Sequence, residues 1–246
     1  MMHTIFLTII ALLLLSAPAQ AQESAPCPAP PLTFCAPTML GQVAIREETA
    51  GHLIDMRYPV LCDADATATI RDDMTATLAR FKAIDPEHDQ SEFPHKYSME
   101  SEYSVWSAGA GRLGSVKIQI FEYTGGAHGM YWPETWVFNM ADGEPLALDE
   151  ILLDPQDALQ MISAHVRTVL RSSLGNMFVP EMLQDGTRPT LSNFANYILS
   201  DEGMTFFFSP YQVAPFAAGE SAVPLPWSMI RRYVKPEIRD LLSPSL

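Results

Sequence analysis

The chain has 246 residues, of which 48% are hydrophobic and 18% charged, and its formal charge is −14. That length supports one large domain or two small ones with a real core. A surface this acidic repels phosphates, which argues against nucleic acid or anionic lipid as a partner, whereas a cationic partner fits it, as does charge kept for solubility.

Ile5 to Leu15 is an apolar run broken only by Thr8. It has the length of a signal h-region and falls well short of the roughly 20 apolar residues of a transmembrane helix. Ala19 and Ala21 stand at the small-residue positions of a cleavage site, so residues 1–21 are predicted to be a secretory signal cut before Gln22. The expected location is periplasmic or secreted, with no stable membrane span after cleavage. Met1 to Thr4 holds no Lys or Arg, which leaves retention as an anchor as the alternative. Cys27 follows Ala25-Pro26 rather than the apolar run, which disfavours a lipoprotein. Residues 22–40 form a Pro/Ala-rich tail.

The cysteines are Cys27, Cys35 and Cys62. An oxidising compartment permits one disulfide and leaves one thiol. Sequence leaves the three pairings open. Cys35–Cys62 is preferred, because it would fasten the N-terminal segment to the first folded hairpin, whereas Cys27–Cys35 would close a loop within the tail. No C-x-x-C occurs, and no metal or cofactor is expected.

Two strands are predicted at Val43 to Thr49 and Leu53 to Tyr58, joined at Ala50-Gly51. A helix follows over Ala66 to Ile84, with Ile70, Met74, Leu78 and Phe81 at helical spacing and Asp65 as N-cap. Asp85 to Pro94 reads as a polar loop. Tyr97 to Trp106, Val116 to Tyr123 and Tyr131 to Met140 read as strands, the last ending at the Asp142-Gly143 turn. Pro155 to Leu174 is the clearest helix: Leu159, Ile162, Val166 and Val169 make its stripe and Gly175 its C′ residue. Asn193 to Leu199 and Met204 to Ser209 form a hairpin, Ala222 to Leu225 a last strand, and Trp227 to Leu242 one or two short helices broken at Pro236. Helices and strands fall in separate blocks rather than in β-α-β alternation. The expected class is α+β, with antiparallel meandering sheets and a few packed helices in two closely associated subdomains, 41–140 and 141–242.

Gly109-Ala-Gly-Arg-Leu-Gly114 matches the dinucleotide fingerprint, but that motif needs a helix after it, and the alternation from Ser115 predicts a strand. The glycines are expected to serve a hairpin loop. Tyr123-Thr-Gly-Gly-Ala-His-Gly129 is the most distinctive segment. Its three glycines permit positive φ or close approach, and His128 among them could act as base, ligand or hydrogen-bond donor. It shares no metal-ligand spacing with His52, His88, His95 or His165, and no G-x-S-x-G supplies a nucleophile. Glu134, Asp142 and Glu144 around a turn, and Asp149 and Glu150 before a helix, are explained by capping. Phe206 to Gly219 is strongly apolar and reads as a central strand running into a turn. Tyr211 and Phe216, beside prolines, are the candidates for an aromatic binding surface.

The Tyr-Thr-Gly-Gly-Ala-His-Gly segment, the acidic-glycine turn, the Leu146-Ala-Leu-Asp-Glu-Ile151 helix start and the Phe-Phe-Ser-Pro-Tyr-Gln-Val-Ala-Pro-Phe-Ala-Ala-Gly run with Val223-Pro-Leu-Pro226 resemble one family of bacterial envelope proteins. This is the RsiV/PdaC-like exported paired-domain family, in which a domain of unknown function 3298 follows a part similar to domain of unknown function 4163. The resemblance covers roughly Val43 to Val234. It implies an α+β fold outside the membrane and a non-enzymatic protein binding a protein or glycan, namely a cationic lysozyme-like enzyme or peptidoglycan. It marks Tyr123, Gly125, Gly126, His128 and Gly129 as a signature, beside Tyr211 and Phe216, without making them catalytic. The competing reading is a cell-wall-active hydrolase using His128 and a nearby carboxylate.

Overall fold

A computed structural model describes residues 39–85 and 95–243. The predicted signal, residues 22–38 of the tail with Cys27 and Cys35, and almost all of the polar loop lie outside the described residues. A five-stranded sheet runs in the order β1 (Gly41–Glu48), β2 (His52–Val60), β3 (Tyr97–Ala108), β4 (Leu113–Tyr123), β5 (Met130–Asn139). Helix α1 (Ala64–Lys82) packs on one face of it. Residues Ala66, Ile70, Met74, Thr77 and Phe81 turn inward at steps of three and four, so the helix buries a single stripe. Leu78 of the expected stripe is only partly buried beside them. The expected cap is displaced by two residues. The helix begins at Ala64, which puts Asp65 inside its first turn, and the Asp63 carboxylate accepts from the Asp65 and Ala66 amides at 2.9 Å.

One pairing departs from an antiparallel meander: β2 and β3 run parallel, from His52 opposite Tyr97 to Asp55 opposite Glu100. A parallel neighbour requires a crossover of a dozen or more residues, and α1 provides it. Alternation shows which residues share a face but not which way a strand runs, so β2–α1–β3 was not visible as a β-α-β unit.

The second part begins with α2 (Leu148–Ile151) and α3 (Pro155–Ser173), continues through α4 (Pro180–Gly186), and forms a second sheet, β6 (Tyr197–Leu199), β7 (Gly203–Phe208) and β8 (Ser221–Pro226). It closes with α5 (Trp227–Ile230) and α6 (Pro236–Leu242). Gly175 has φ +53° and ends α3 as the sequence predicts. The strand expected from Asn193 starts only at Tyr197, because Leu191–Phe194 makes a 3-10 turn that buries Phe194. Helix α4 escaped the sequence reading: its seven residues bury only Leu183 and Gly186, too few to make a periodic pattern.

Strand β4 has a core on both faces. Val116, Ile118 and Ile120 join α1 in one cluster, while Leu113 and, from the neighbouring strands, Ala108 and Val137 join the second sheet in another. The odd-numbered residues of β4 and β5 therefore face the second part. There the Ser115 hydroxyl donates to the Leu199 carbonyl at 3.1 Å and accepts from the Leu199 amide at 2.9 Å. The Thr135 hydroxyl accepts from the Tyr197 amide at 2.9 Å. These side chains satisfy the β6 edge that β7 does not pair. Lys117 and Glu220 form an ion pair at 2.5 Å on the same seam, with the ammonium 4.5 Å from the Phe207 ring centre.

Candidate functional site

The loop between β4 and β5 carries the glycine–histidine signature. Gly125 and Gly126 have φ of +98° and +95°, values that favour glycine. The Tyr123 hydroxyl donates to the Gly126 carbonyl at 3.2 Å and holds the loop against its own strand. Gly129 is glycine for another reason: a Cβ there would lie 2.3 Å from the Phe121 ring and 2.9 Å from the Glu122 carbonyl. His128 is thus set at the tip of a loop with little freedom. Its Nδ1–H donates to the Gly129 carbonyl at 2.9 Å, and the residue is exposed.

The partner of this loop comes from the second part. Between β7 and β8 the chain makes a 3-10 turn at Phe216–Ala218, and the Phe216 ring stacks on His128 at 4.0 Å between centres and 20° between planes. Tyr131 meets the same ring edge-on at 5.8 Å and Tyr211 lies against it at 5.6 Å. Tyr211 is 51% exposed and holds φ +70°, an unusual backbone for a tyrosine. The structure therefore unites His128, Tyr211 and Phe216, three of the residues singled out in sequence, at one exposed aromatic surface where the two parts of the chain meet. Tyr123, Gly125, Gly126 and Gly129 shape the loop beneath them. Tyr131 was missed: its place on β5 could be read from alternation, but its contact with Phe216 left no signal in sequence. The apolar run divides as well, since Phe206 and Phe208 are wholly buried while Tyr211 and Phe216 reach the surface region.

The remaining motifs have structural explanations. Gly109, Ala110 and Gly111 all have positive φ and turn the β3–β4 hairpin, and a strand rather than a helix follows Gly114. His52 is buried edge-on to Phe81 and Tyr97. His165 bonds the Pro224 carbonyl at 3.0 Å. Among the described residues no group of three His, Cys, Asp or Glu is placed to hold a metal. Asp142 accepts from the Glu144 amide, and Glu150 accepts from the Ala147 amide, both turn or cap roles. No ion pair joins a carboxylate to the His128 ring among the described residues.

Glu134 differs from the other acidic candidates because it faces α1 rather than a turn. It accepts from Trp132 Nε1 at 3.2 Å, and burial raises its carboxyl above the usual range, opposed by that bond and by Arg80. A raised carboxyl binds its proton more tightly folded than unfolded, so its contribution is complete below the unfolded value and is lost as pH rises through the folded one. Glu134→Gln keeps an acceptor for Trp132. It is expected to raise the thermal midpoint at pH 7, by less than about 1 kcal/mol in stability, and to change little at pH 4. Calorimetry at the two pH values checks both.

Comparison with known proteins agrees with the signature. Residues 45–131 match the family described as Deacetylase PdaC, and residues 149–228 match the family described as Protein of unknown function (DUF3298). The peptidoglycan-N-acetylmuramic acid deacetylase PdaC of Bacillus subtilis is 20% identical over 185 residues, 75% of this chain, and the chain spans 39% of that protein's length. An esterase of Mycobacterium tuberculosis is 22% identical over 181 residues, 73% of this chain and 77% of the esterase. Crystal structures of two DUF3298 family proteins share the fold. The one from Bacteroides fragilis has a TM-score of 0.58 at 21% identity, covering 85% of this chain and 99% of its own. The one from Pseudomonas aeruginosa has 0.56 at 16%, covering 84% and 98%. His128 lies in the first matched region, and Tyr211 and Phe216 lie in the second.

Proposed function

We propose that this chain, which carries both regions of the PdaC-like paired-domain family, is an exported, non-enzymatic envelope protein that binds a protein or glycan partner through the His128–Phe216 surface. The observation that carries this reading is the stack of His128 on Phe216, with Tyr131 and Tyr211 against the same ring, built at the junction of the two regions. Two exposed rings, His128 and Tyr211, beside the half-buried Phe216 and Tyr131 suit sugar faces or the guanidinium and ammonium groups of a basic protein. The formal charge of −14 favours a cationic protein such as a lysozyme-like enzyme, and PdaC is by name a peptidoglycan deacetylase. The secretory signal and periplasmic or secreted location belong to the same proposal. So does the Cys35–Cys62 disulfide: Cys62 packs beside the first core, and Cys35 lies outside the described residues.

Phe216→Ala tests the surface. It is expected to weaken retention on insoluble peptidoglycan or on immobilised lysozyme by roughly tenfold or more, while the far-ultraviolet spectrum and thermal midpoint stay close to wild type. Wild-type protein that binds neither ligand at low ionic strength would sink this reading, since salt screening could not then be blamed.

One observation favours the hydrolase alternative: His128 is exposed, with Nδ1 engaged and Nε2 available to take a proton. PdaC and the mycobacterial relative are named a deacetylase and an esterase. Hydrolysis of p-nitrophenyl acetate or of acetylated peptidoglycan that disappears in His128→Ala would establish it, and activity equal in both proteins would end it.

A further inference from the structure

We propose that Arg231, Arg232 and Arg239 form a binding site for a phosphate-type oxyanion, on the second part of the chain and independent of the aromatic surface. The three arginines, with Ser228 and Met229, line one open depression of about 410 Å³. Arg231 and Arg232 come from the 3-10 turn at Arg231–Tyr233 after α5, and Arg239 from α6. Three cationic side chains lining one depression raise the local positive potential and favour an anion there.

The chain has 29 acidic residues against 15 basic ones, so a neighbouring carboxylate would be easy to supply. The arginines outside the cluster have partners of two kinds: Arg46, Arg57, Arg71 and Arg188 each sit within ion-pair distance of an aspartate, while Arg80, Arg112 and Arg167 donate to hydroxyl or carbonyl oxygens and Arg171 lies over the Phe178 ring. Among the described residues no carboxylate pairs with Arg231, Arg232 or Arg239, and the Arg239 Nε–H is buried without a hydrogen-bond partner. Arg232 also lines a second depression with Leu153, Asp154, Asp157 and Tyr233, and neither aspartate forms an ion pair with it.

The geometry is also held in place. The Arg232 guanidinium lies 4.6 Å over the Tyr233 ring and donates to its hydroxyl at 2.7 Å. The Leu153 amide donates to the Tyr233 carbonyl at 2.7 Å and the Lys235 amide to the Ile151 carbonyl at 2.9 Å, while Val234 and Ile238 anchor the segment in the core. Arginine donors that line one depression on a fixed frame, none of them ion-paired, match a doubly charged oxyanion, which accepts several charge-assisted bonds at once. That group can arrive as a free phosphate or as a phosphate headgroup, and the cluster would be a local exception to the repulsion of phosphates expected from the overall charge of −14. Met229, 43% exposed at the rim, is compatible with either.

The test compares inorganic phosphate with chloride at matched ionic strength, and phosphatidylglycerol with phosphatidylcholine vesicles. Saturable binding of phosphate, read by titration calorimetry and by a rise in thermal midpoint, is expected for the wild type and identifies a free-anion site. Binding of phosphatidylglycerol vesicles alone identifies the headgroup as the source. Arg231→Gln with Arg239→Gln is expected to weaken either interaction roughly tenfold or more. Arg188→Gln, an arginine already paired with Asp185, should leave it unchanged. The single Arg231→Gln variant at an exposed position gives the same comparison if the double variant folds poorly. The proposal is overturned if neither phosphate nor vesicles bind saturably at low ionic strength, or if the arginine variants bind as the wild type does.

Discussion

Gly109→Ala is expected to cost at least about 3 kcal/mol and to lower the urea midpoint well below that of Gly126→Ala. Two effects add at this position. Gly109 holds φ +63°, where an alanine is disfavoured by roughly 1–2 kcal/mol. More important, the new Cβ would lie 1.9 Å from the Leu241 carbonyl oxygen and 2.9 Å from its carbon, both backbone atoms that no rotamer change can move. Relief requires α6 to shift, and Ile238 and Leu242 of that helix are buried in the second core. The Gly109 amide also donates to the Asp201 carboxylate at 3.0 Å, and a displaced hairpin loses that bond. Gly126→Ala provides the control. Its φ is +95°, yet nothing lies within 4 Å of the added carbon, so it should cost only about 1 kcal/mol. Equal midpoints for the two variants would show that the hairpin does not press on α6.

The fold was legible where burial is one-sided. The α1 stripe, the α3 stripe with its Gly175 stop and the β7–β8 region all follow from apolar spacing that the core enforces. It was not legible on the second face of β4. Ser115, Lys117 and Gln119 alternate with Val116, Ile118 and Ile120 and look like a solvated face. In the structure Ser115 is wholly buried, bonded to Leu199, and Lys117 is paired with Glu220, so polar residues with partners take the place of an apolar stripe. Pattern reading cannot separate these cases, because the partners are distant in sequence. The candidate site behaves the same way. The Tyr123–Gly129 segment and the Tyr211–Phe216 segment were each marked by composition and by family resemblance, but their union in a ring stack depends on how β5 meets the β7–β8 turn. The arginine cluster left only the adjacent pair Arg231-Arg232, which reads as an ordinary exposed turn.

Ser115→Ala with Thr135→Val should separate the two parts of the molecule more effectively than the loss of any single apolar contact between them. Each hydroxyl fills a place in the hydrogen-bonding of β6 that no strand occupies. Ser115→Ala orphans both the amide and the carbonyl of Leu199, which is itself fully buried. A buried polar group left unpaired costs roughly 1–3 kcal/mol, so the single substitution should cost about 2–4 kcal/mol although it removes only one oxygen. Thr135→Val keeps the volume and orphans the Tyr197 amide, at about 1–3 kcal/mol. Because both act on the same short strand, their effects should not add: once β6 has moved off β4, the second hydroxyl has little left to hold. The consequence reaches the candidate site. Strand β6 pairs with β7, and β7 leads into the turn that carries Phe216 onto His128. The double variant is therefore expected to lose protection of the Tyr197 and Leu199 amides from hydrogen exchange and, with it, the ring-current shift that Phe216 imposes on the His128 protons, while the α1 face of the first sheet keeps its protection. If the His128 shifts survive while β6 exchanges freely, the aromatic surface is held by its own ring contacts and not by the seam beneath it.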